Sequence, residues 1–362
     1  MLPFDYKLTQ SHPVSSDDEQ VEELKRSDIP CILWGAGEVA EKVFDYLEKN
    51  NVKIKEVLVD TDQACFFHNI PSISRKELEK KYSRVNLIIG HNRYDYYNRI
   101  KKEIKNIENI YAFSSIFGWD ENFDVSFINE HEKEISDAYF LGFDSKSKLA
   151  YEEYINARIS KSPFYITSDC ILDKFFKNSI IDAGENEAFM DIGACKGNML
   201  GIFHKETHGK YKGIIALEPE KNNYAELERY ADTSLHDVLT KKIGCWNEKT
   251  ELGFVVDGTG RSNHIGQDED NTIYIEVDKI DNIIADNRVT ICNLFLQTGV
   301  KEMILGAEQL LRTQKPKLIV GIGLRKEHFF EIPKLIKEMN NGYHIYYRFF
   351  GALPSRFYIL AV

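Results

Sequence analysis

The chain has 362 residues, 43% of them hydrophobic and 28% charged, the balance of a folded protein large enough for two cores. A net charge of −11 argues against a broad nucleic-acid or anionic-membrane surface, since either wants a basic face. No apolar run approaches the roughly 20 residues of a membrane helix, and MLPFDYKLTQ lacks the basic-then-apolar order of a signal peptide.

Six cysteines, at 31, 65, 170, 195, 245 and 292, form no CxxC pair, so reduced, mostly buried thiols in a cytoplasmic protein are expected. An acidic surface helix is expected over DDEQVEELKRSD. IPCILWG then reads as a buried strand, GEVAEKVFDYLEKN as an amphipathic helix and IKEVLVD as a second strand. VNLIIG, a helix over YDYYNRIKKEIKNI and the strand NIYAFS repeat the alternation, which implies a parallel sheet with helices on its faces. Residues 1–122 are read as a small Rossmann-like domain.

Its turn, GAGEVA, fits G-x-G-x-x-A after a strand, with Gly35 and Gly37 as the glycines and Asp60 ending the next strand. The unit is short for a dinucleotide domain. A mononucleotide or nucleotide-sugar site therefore fits better than a nicotinamide site, and a glycine turn serving only packing fits equally well.

Residues 123–185 are read as a helical bridge and cap. KSKLAYEEYINARIS puts Tyr151, Ile155 and Ile159 at spacings of four, with Tyr154 beside them, as one apolar stripe.

Residues 186–362 form the second α/β unit. EAFMDIG is its first strand, GIIALEPE its second and AELERYA a helix. KKIGCW and ELGFVV follow as short strands, then TIYIEV, ICNLFL and KLIVGIG. YHIYYRFF and FYILAV are joined by so short a turn that they must run antiparallel. The fold class expected is thus α/β with two doubly wound Rossmann-like domains, the second a class I methyltransferase fold ending in an antiparallel hairpin.

In a doubly wound sheet the ligand lies beyond the carboxyl ends of the strands. Asp191 and Glu218 close the first and second strands of this unit. A ribose has two hydroxyl donors, and the Glu218 carboxylate can accept both. Gly193 and Gly197 allow backbone to approach a ligand, and Asp191 is placed to position its amino-acid end. An acid so close would repel a pyrophosphate, which favours a cationic sulfonium ligand. In IGCWNE, Trp246 is placed to stack on an adenine, or to serve the core, and Asn247 to read the base's amino edge.

FMDIGACKGNML, IIALEPEKNNYAELERY, IGCWNEKTELGF, IEVDKIDNII, MILGAEQLL and the run KPKLIVGIG to HFFEIPKLIKEM together resemble the FkbM-type methyltransferase family over roughly residues 135–362. The resemblance implies S-adenosylmethionine as cofactor, with Asp191, Gly193, Ala194, Gly197 and Asn198 lining its methionine end and Glu218 holding the ribose. It also implies methyl transfer to a hydroxyl of a sugar or other small metabolite. The front unit is similar to the amino-terminal domain of nucleotide-sugar acyltransferases, a domain some FkbM-type proteins carry.

The sequence departs from the family's acidic DxEGxE pattern, because Phe295, Gln297 and Val300 occupy the three acidic positions. Gly323 and Leu324 replace a Tyr-His pair, and the expected serine pair is met only by Ser262 and Asn263. Glu302 and His264 lie nearby in sequence. A non-catalytic nucleotide or nucleotide-sugar binding protein is the second reading, and an NAD(P)-linked oxidoreductase using Gly35, Gly37 and Asp60 the third. His204 and His208 in HKETH lack the zincin glutamate spacing, so no metal site is expected.

Overall fold

The computed structural model describes residue 2 and residues 17–59, 66–91, 103–113, 123–160, 165–166, 174–256, 264–266, 268, 271–294, 298–351 and 354–362. Helix α1 (Asp17–Arg26) has Asp17, Asp18 and Glu19 in its first turn and Lys25 and Arg26 in its last, the charge order a helix dipole favours. Strand β1 (Cys31–Trp34), α2 (Glu38–Lys49), β2 (Ile54–Leu58), β3 (Phe66–Phe67), β4 (Ile70–Ile73), α3 (Arg75–Lys81), β5 (Val85–Ile89) and β6 (Ile107–Tyr111) follow. The sheet order is β3-β4-β2-β1-β5-β6, parallel apart from the β3–β4 pair. Every residue of β1 and β5 is buried, as strands covered on both faces are. Strands β3 and β4 and helix α3 carry no long apolar pattern and were not anticipated. The helix expected over YDYYNRIKKEIKNI lies outside the described residues except at its end.

Helices α4 (Val125–Glu130), α5 (Glu132–Leu141) and α6 (Ser145–Ile159) come next. The Asp144 side chain caps α6 by accepting from the Ser147 amide at 2.8 Å. Tyr151, Tyr154 and Ile155 of the expected stripe are fully buried, and Ile159 packs against the same cluster. The expectation of helix toward residue 180 is corrected: residues 174–187 are irregular, with a bridge between Lys177 and Asp182. Asn178 explains part of this, since its side chain accepts from the Ile180 and Ile181 amides and folds the backbone into a turn.

The second unit runs β7 (Ala188–Ile192), α7 (Asn198–Glu206), β8 (Gly213–Leu217), α8 (Lys221–Ser234), β9 (Val238–Lys241), β10 (Gly244–Cys245), β11 (Thr250–Val255), β12 (His264–Ile265), β13 (Thr272–Asp278), α9 (Ile280–Ile284), β14 (Ile291–Leu294), α10 (Val300–Leu305), α11 (Glu308–Thr313), β15 (Lys317–Gly321), α12 (His328–Met339), β16 (Ile345–Phe349) and β17 (Phe357–Ala361). Seven strands form the main sheet in the order β16-β17-β15-β14-β7-β8-β9. Strand β17 pairs antiparallel with both β15 and β16, and the other pairs are parallel. From β7 the chain builds outward through β8 and β9, then returns to β14 on the other side. The order therefore reverses between β7 and β14, and a crevice opens there at the carboxyl ends of the strands.

The short strands within KKIGCW, ELGFVV and TIYIEV stand apart from the main sheet, in a four-stranded sheet of order β10-β13-β11-β12. The third main strand is Val238–Lys241, a half-exposed edge strand without the apolar run that marks an interior one.

Two cores cover the main sheet. One face packs Phe189, Ala216, Ile291 and Leu360 against Phe203 and Leu227 of α7 and α8. The opposite face packs Met190, Leu294 and Val320 into a cluster that continues through Tyr151 and Phe123 to Trp34 and Leu87 of the first sheet. At its edge, Arg348 of β16 donates to Asp144 at 2.6 Å, tying the last strands to the start of α6. That guanidinium holds the Asp144 carboxyl down at about 2 against the opposing effect of burial.

Candidate functional site

The site begins with strand alternation. Asp191 of β7 stands opposite Ala216 of β8 on one side and Asn293 of β14 on the other. Glu218 follows β8 two residues beyond Ala216, so both acids lie on the same face at the same sheet edge. Both are buried.

Asp191 is 1% exposed. Its Oδ1 accepts from Asn293 Nδ2 at 2.7 Å, while Oδ2 has no partner among the described residues. Burial pushes its carboxyl up to about 7; the Asn293 bond opposes this and the nearby Glu218 charge adds to it. Asn293 Oδ1 is likewise without a partner among the described residues. Two orphaned buried acceptors thus sit side by side at the switch point, and such atoms cost about 1–3 kcal/mol each unless something donates to them.

The Glu218 carboxylate is held from below by backbone. Its Oε2 accepts from the Cys195 amide and its Oε1 from the Glu220 amide, both at 2.9 Å. Burial raises its pKa, and these two amides act against that rise. The Asn223 side chain bonds the same carboxylate, and of its about four acceptor positions this leaves about one for an outside donor such as a ribose hydroxyl.

The glycine turn makes this possible. Gly193 has φ +75°, Cys195 φ +51° and Gly197 φ +91°, so the backbone coils tightly after β7. The amides of Gly193 and Ala194 both donate to the Leu217 carbonyl at 2.9 Å, drawing the turn over the end of β8. Gly197 has a packing duty as well: a Cβ there would lie 2.8 Å from Tyr230 Cδ1. The Ala194 side chain is buried in the core beside α7, which leaves only its backbone for any ligand. Asn198, the first residue of α7, is exposed.

Trp246 follows β10 in the small sheet and packs against the turn before α10, where a Cβ on Gly299 would lie 2.8 Å from its ring. It is half-buried, and Asn247 is exposed. The Ile265 amide donates to Thr298 Oγ1 at 2.9 Å and Thr298 Oγ1 donates to the Ile265 carbonyl at 3.3 Å. His264 is on the same short strand, next to this contact with the turn before α10. Phe295, Gln297, Ser262 and Asn263 lie outside the described residues. Val300, the third departure from the acidic pattern, is fully buried in the core, where it can neither hold nor remove a proton.

In the front sheet the order also reverses, between β1 and β5. Gly35 has φ +117°, and a Cβ there would lie 2.6 Å from the Gly90 carbonyl oxygen, so the turn presses on the end of β5. A Cβ on Gly37, at the start of α2, would meet nothing within 4 Å. Asp60 lies outside the described residues. Among the described residues no group of His, Cys, Asp and Glu is arranged to hold a metal, and no helix is long and apolar enough to cross a membrane.

Three further residues of the site escaped sequence reasoning. Asn293 was read only as part of an apolar strand, although one polar residue in ICNLFL, in register with Asp191, is a usable signal. The Cys195 amide cannot be seen in a sequence. Tyr230, whose ring fills the space beside Gly197 and Gly201, was hidden in an ordinary amphipathic helix.

No protein-family model and no curated protein matches the sequence. The methyltransferase FkbM from Methylobacillus flagellatus KT superposes with a TM-score of 0.63 over 97% of this chain and 96% of its own, at 15% identity. The chain has a methyltransferase fold. An S-adenosylmethionine-dependent methyltransferase from Aquifex aeolicus matches 49% of this chain and 83% of its own at 14% identity, with a TM-score of 0.29. The ribosomal protein L11 methylase from Lactobacillus delbrueckii subsp. bulgaricus matches 49% and 69% at 15% identity, with a TM-score of 0.26. Those two scores are too low to add weight. In the methyltransferase fold the turn Gly193–Gly197 and the acids Asp191 and Glu218 occupy the strand edge where such sheets take their ligand.

Proposed function

We propose that the protein is an S-adenosylmethionine-dependent methyltransferase acting on a hydroxyl of a small, sugar-like molecule. The observation that carries this reading is the Asp191–Glu218 pair at the β7 switch point, with Asp191 Oδ2 unpartnered among the described residues and the Glu218 oxygens aligned by backbone amides. The donor set fits the cofactor. Glu218, its oxygens aligned by the Cys195 and Glu220 amides, holds a ribose hydroxyl, and Asp191 Oδ2 accepts from the α-ammonium group. A cationic ligand also offsets the burial, and the smaller Glu218 repulsion, that keep Asp191 proton-bound near neutrality. When bound, S-adenosylmethionine supplies a methyl group on a sulfonium, ready for direct attack.

The chain's own part is to orient the acceptor and take its proton. With Val300 in the core, we assign that task to His264, whose neighbour Ile265 bonds Thr298 in the turn before α10. Trp246 closes the adenine side of the crevice and Asn247 reads its rim. We assign Gly35 and Gly37 to a second nucleotide-type site, for which the sequence offers Asp60 as the ribose acid, with a nucleotide sugar as the ligand class.

A second reading, a binding protein without transfer activity, is favoured by the burial of Val300 where an acid is expected. Incubation with isotopically methyl-labelled S-adenosylmethionine and pooled free and nucleotide-linked sugars separates the two. A labelled product supports the enzyme, whereas cofactor binding with no product in any pool supports the binding protein.

A further inference from the structure

Asp191 and Asn293 stand opposite each other on β7 and β14, the two strands between which the sheet order reverses. Both side chains are buried. The Asn293 amide nitrogen donates to Asp191 Oδ1 at 2.7 Å, while Asp191 Oδ2 and Asn293 Oδ1 have no partner among the described residues. Each of these planar groups thus uses one end on the other and leaves its second oxygen over.

An ionised carboxylate and an amide oxygen are both pure acceptors. Left side by side in a buried place without a donor, they repel each other and lose their hydration. A single proton resolves both. A protonated carboxyl donates at one oxygen and accepts at the other, which is the complement of a primary amide. The two groups then close a ring through one N–H···O and one O–H···O bond, and no oxygen is left over. The titratable groups that face Asp191 are Glu218 beyond β8 and the buried Cys292 thiol of β14. Neither supplies positive charge. Glu218 is an acid, and burial pushes the Cys292 thiol up, so it stays neutral. No cation among the described residues acts on Asp191.

We infer that Asp191 carries a proton on Oδ2 and donates it to Asn293 Oδ1, forming a closed acid–amide pair that fastens β7 to β14 at the switch point. The rise of the Asp191 carboxyl to about 7, caused first by burial, agrees with this. The pair is a switch. Below about pH 7 two hydrogen bonds tie the strand ends, and the crevice carries no charge at Asp191. As pH rises through that value the proton leaves to solvent, one of the two bonds is lost, and a carboxylate charge appears between the strands. A cation arriving at lower pH must displace the proton. The pair itself depends neither on which ligand binds nor on methyl transfer.

Infrared difference spectroscopy of the full-length protein across this range tests the inference, because the carbonyl stretch of an un-ionised carboxyl lies above the amide band. The wild type at about pH 6 should show such a band, which fades by about pH 8 and is missing from Asp191→Asn. Asn293→Leu fills the space without an amide. It should keep the band but move it to higher frequency, as a carbonyl does on losing its N–H donor. NMR of the Asn293 side-chain amide in the wild type gives a second answer that needs no variant at that position. Its nitrogen and proton shifts should follow the carboxyl titration with the same midpoint. No Asp191-dependent band at about pH 6, a band that stays in place in Asn293→Leu, or an amide resonance that ignores pH overturns the inference.

Discussion

Asn293 donates its side-chain amide to Asp191 at 2.7 Å across the two central strands of the main sheet, exactly where the strand order turns back. The contact leaves one oxygen of each side chain without a partner among the described residues. It fixes the Asp191 carboxyl in place and leaves Oδ2 open among the described residues. Asn293→Ala should remove that anchor, cost about 1–3 kcal/mol of stability, and raise the Asp191 pKa further. Urea denaturation at pH 6 and pH 8 measures both effects.

Asp191 makes the protein's stability fall with rising pH. Its carboxyl titrates near 7 in the folded chain, against an ordinary value of 3.8 when unfolded. Between these values the folded state holds a proton that the unfolded state has lost, so each step up in pH favours unfolding. The full effect is on the order of 4 kcal/mol. Asp191→Asn should flatten the loss of stability between about pH 4 and 7, which a series of denaturation curves across that range would show. A cation-bearing ligand should bind more tightly to the wild type above pH 7 than below it, and Asp191→Asn should lose that dependence.

Gly197 meets two constraints at once, a φ of +91° and the Tyr230 ring 2.8 Å from any Cβ. Gly197→Ala should destabilise by about 1–3 kcal/mol. Combining it with Tyr230→Ala removes the clash and leaves the backbone strain. The pair should therefore cost less than the sum of the two single changes, as measured by thermal and chemical unfolding.

If His264 takes the acceptor's proton, His264→Ala should lower kcat by about 10²–10⁴ while S-adenosylhomocysteine affinity stays the same. A loss of affinity with unchanged kcat would assign His264 to binding instead.

The strands that carry the site were legible because they are interior to a parallel sheet: AFMDI, GIIAL and ICNL are nearly continuous apolar runs. Asp191 and Glu218 stood out as acids next to such runs. The edge strand Val238–Lys241 has no such run, because one side faces solvent and its residues are mixed. The role of Asn293 needed the register between β7 and β14, and a register is a long-range fact that no local pattern states. The packing duty of Gly197, where a Cβ would lie 2.8 Å from a tyrosine ring of the next helix, is equally invisible in the sequence.

Calorimetric titration of the full-length protein with S-adenosylhomocysteine, beside Glu218→Ala, addresses the cofactor site most directly. The account predicts one bound ligand per chain and an affinity about 10- to 100-fold weaker in the variant, the value of one or two hydrogen bonds to a charged group. No heat of binding and no thermal shift at millimolar ligand, or equal affinity in the variant, would contradict it.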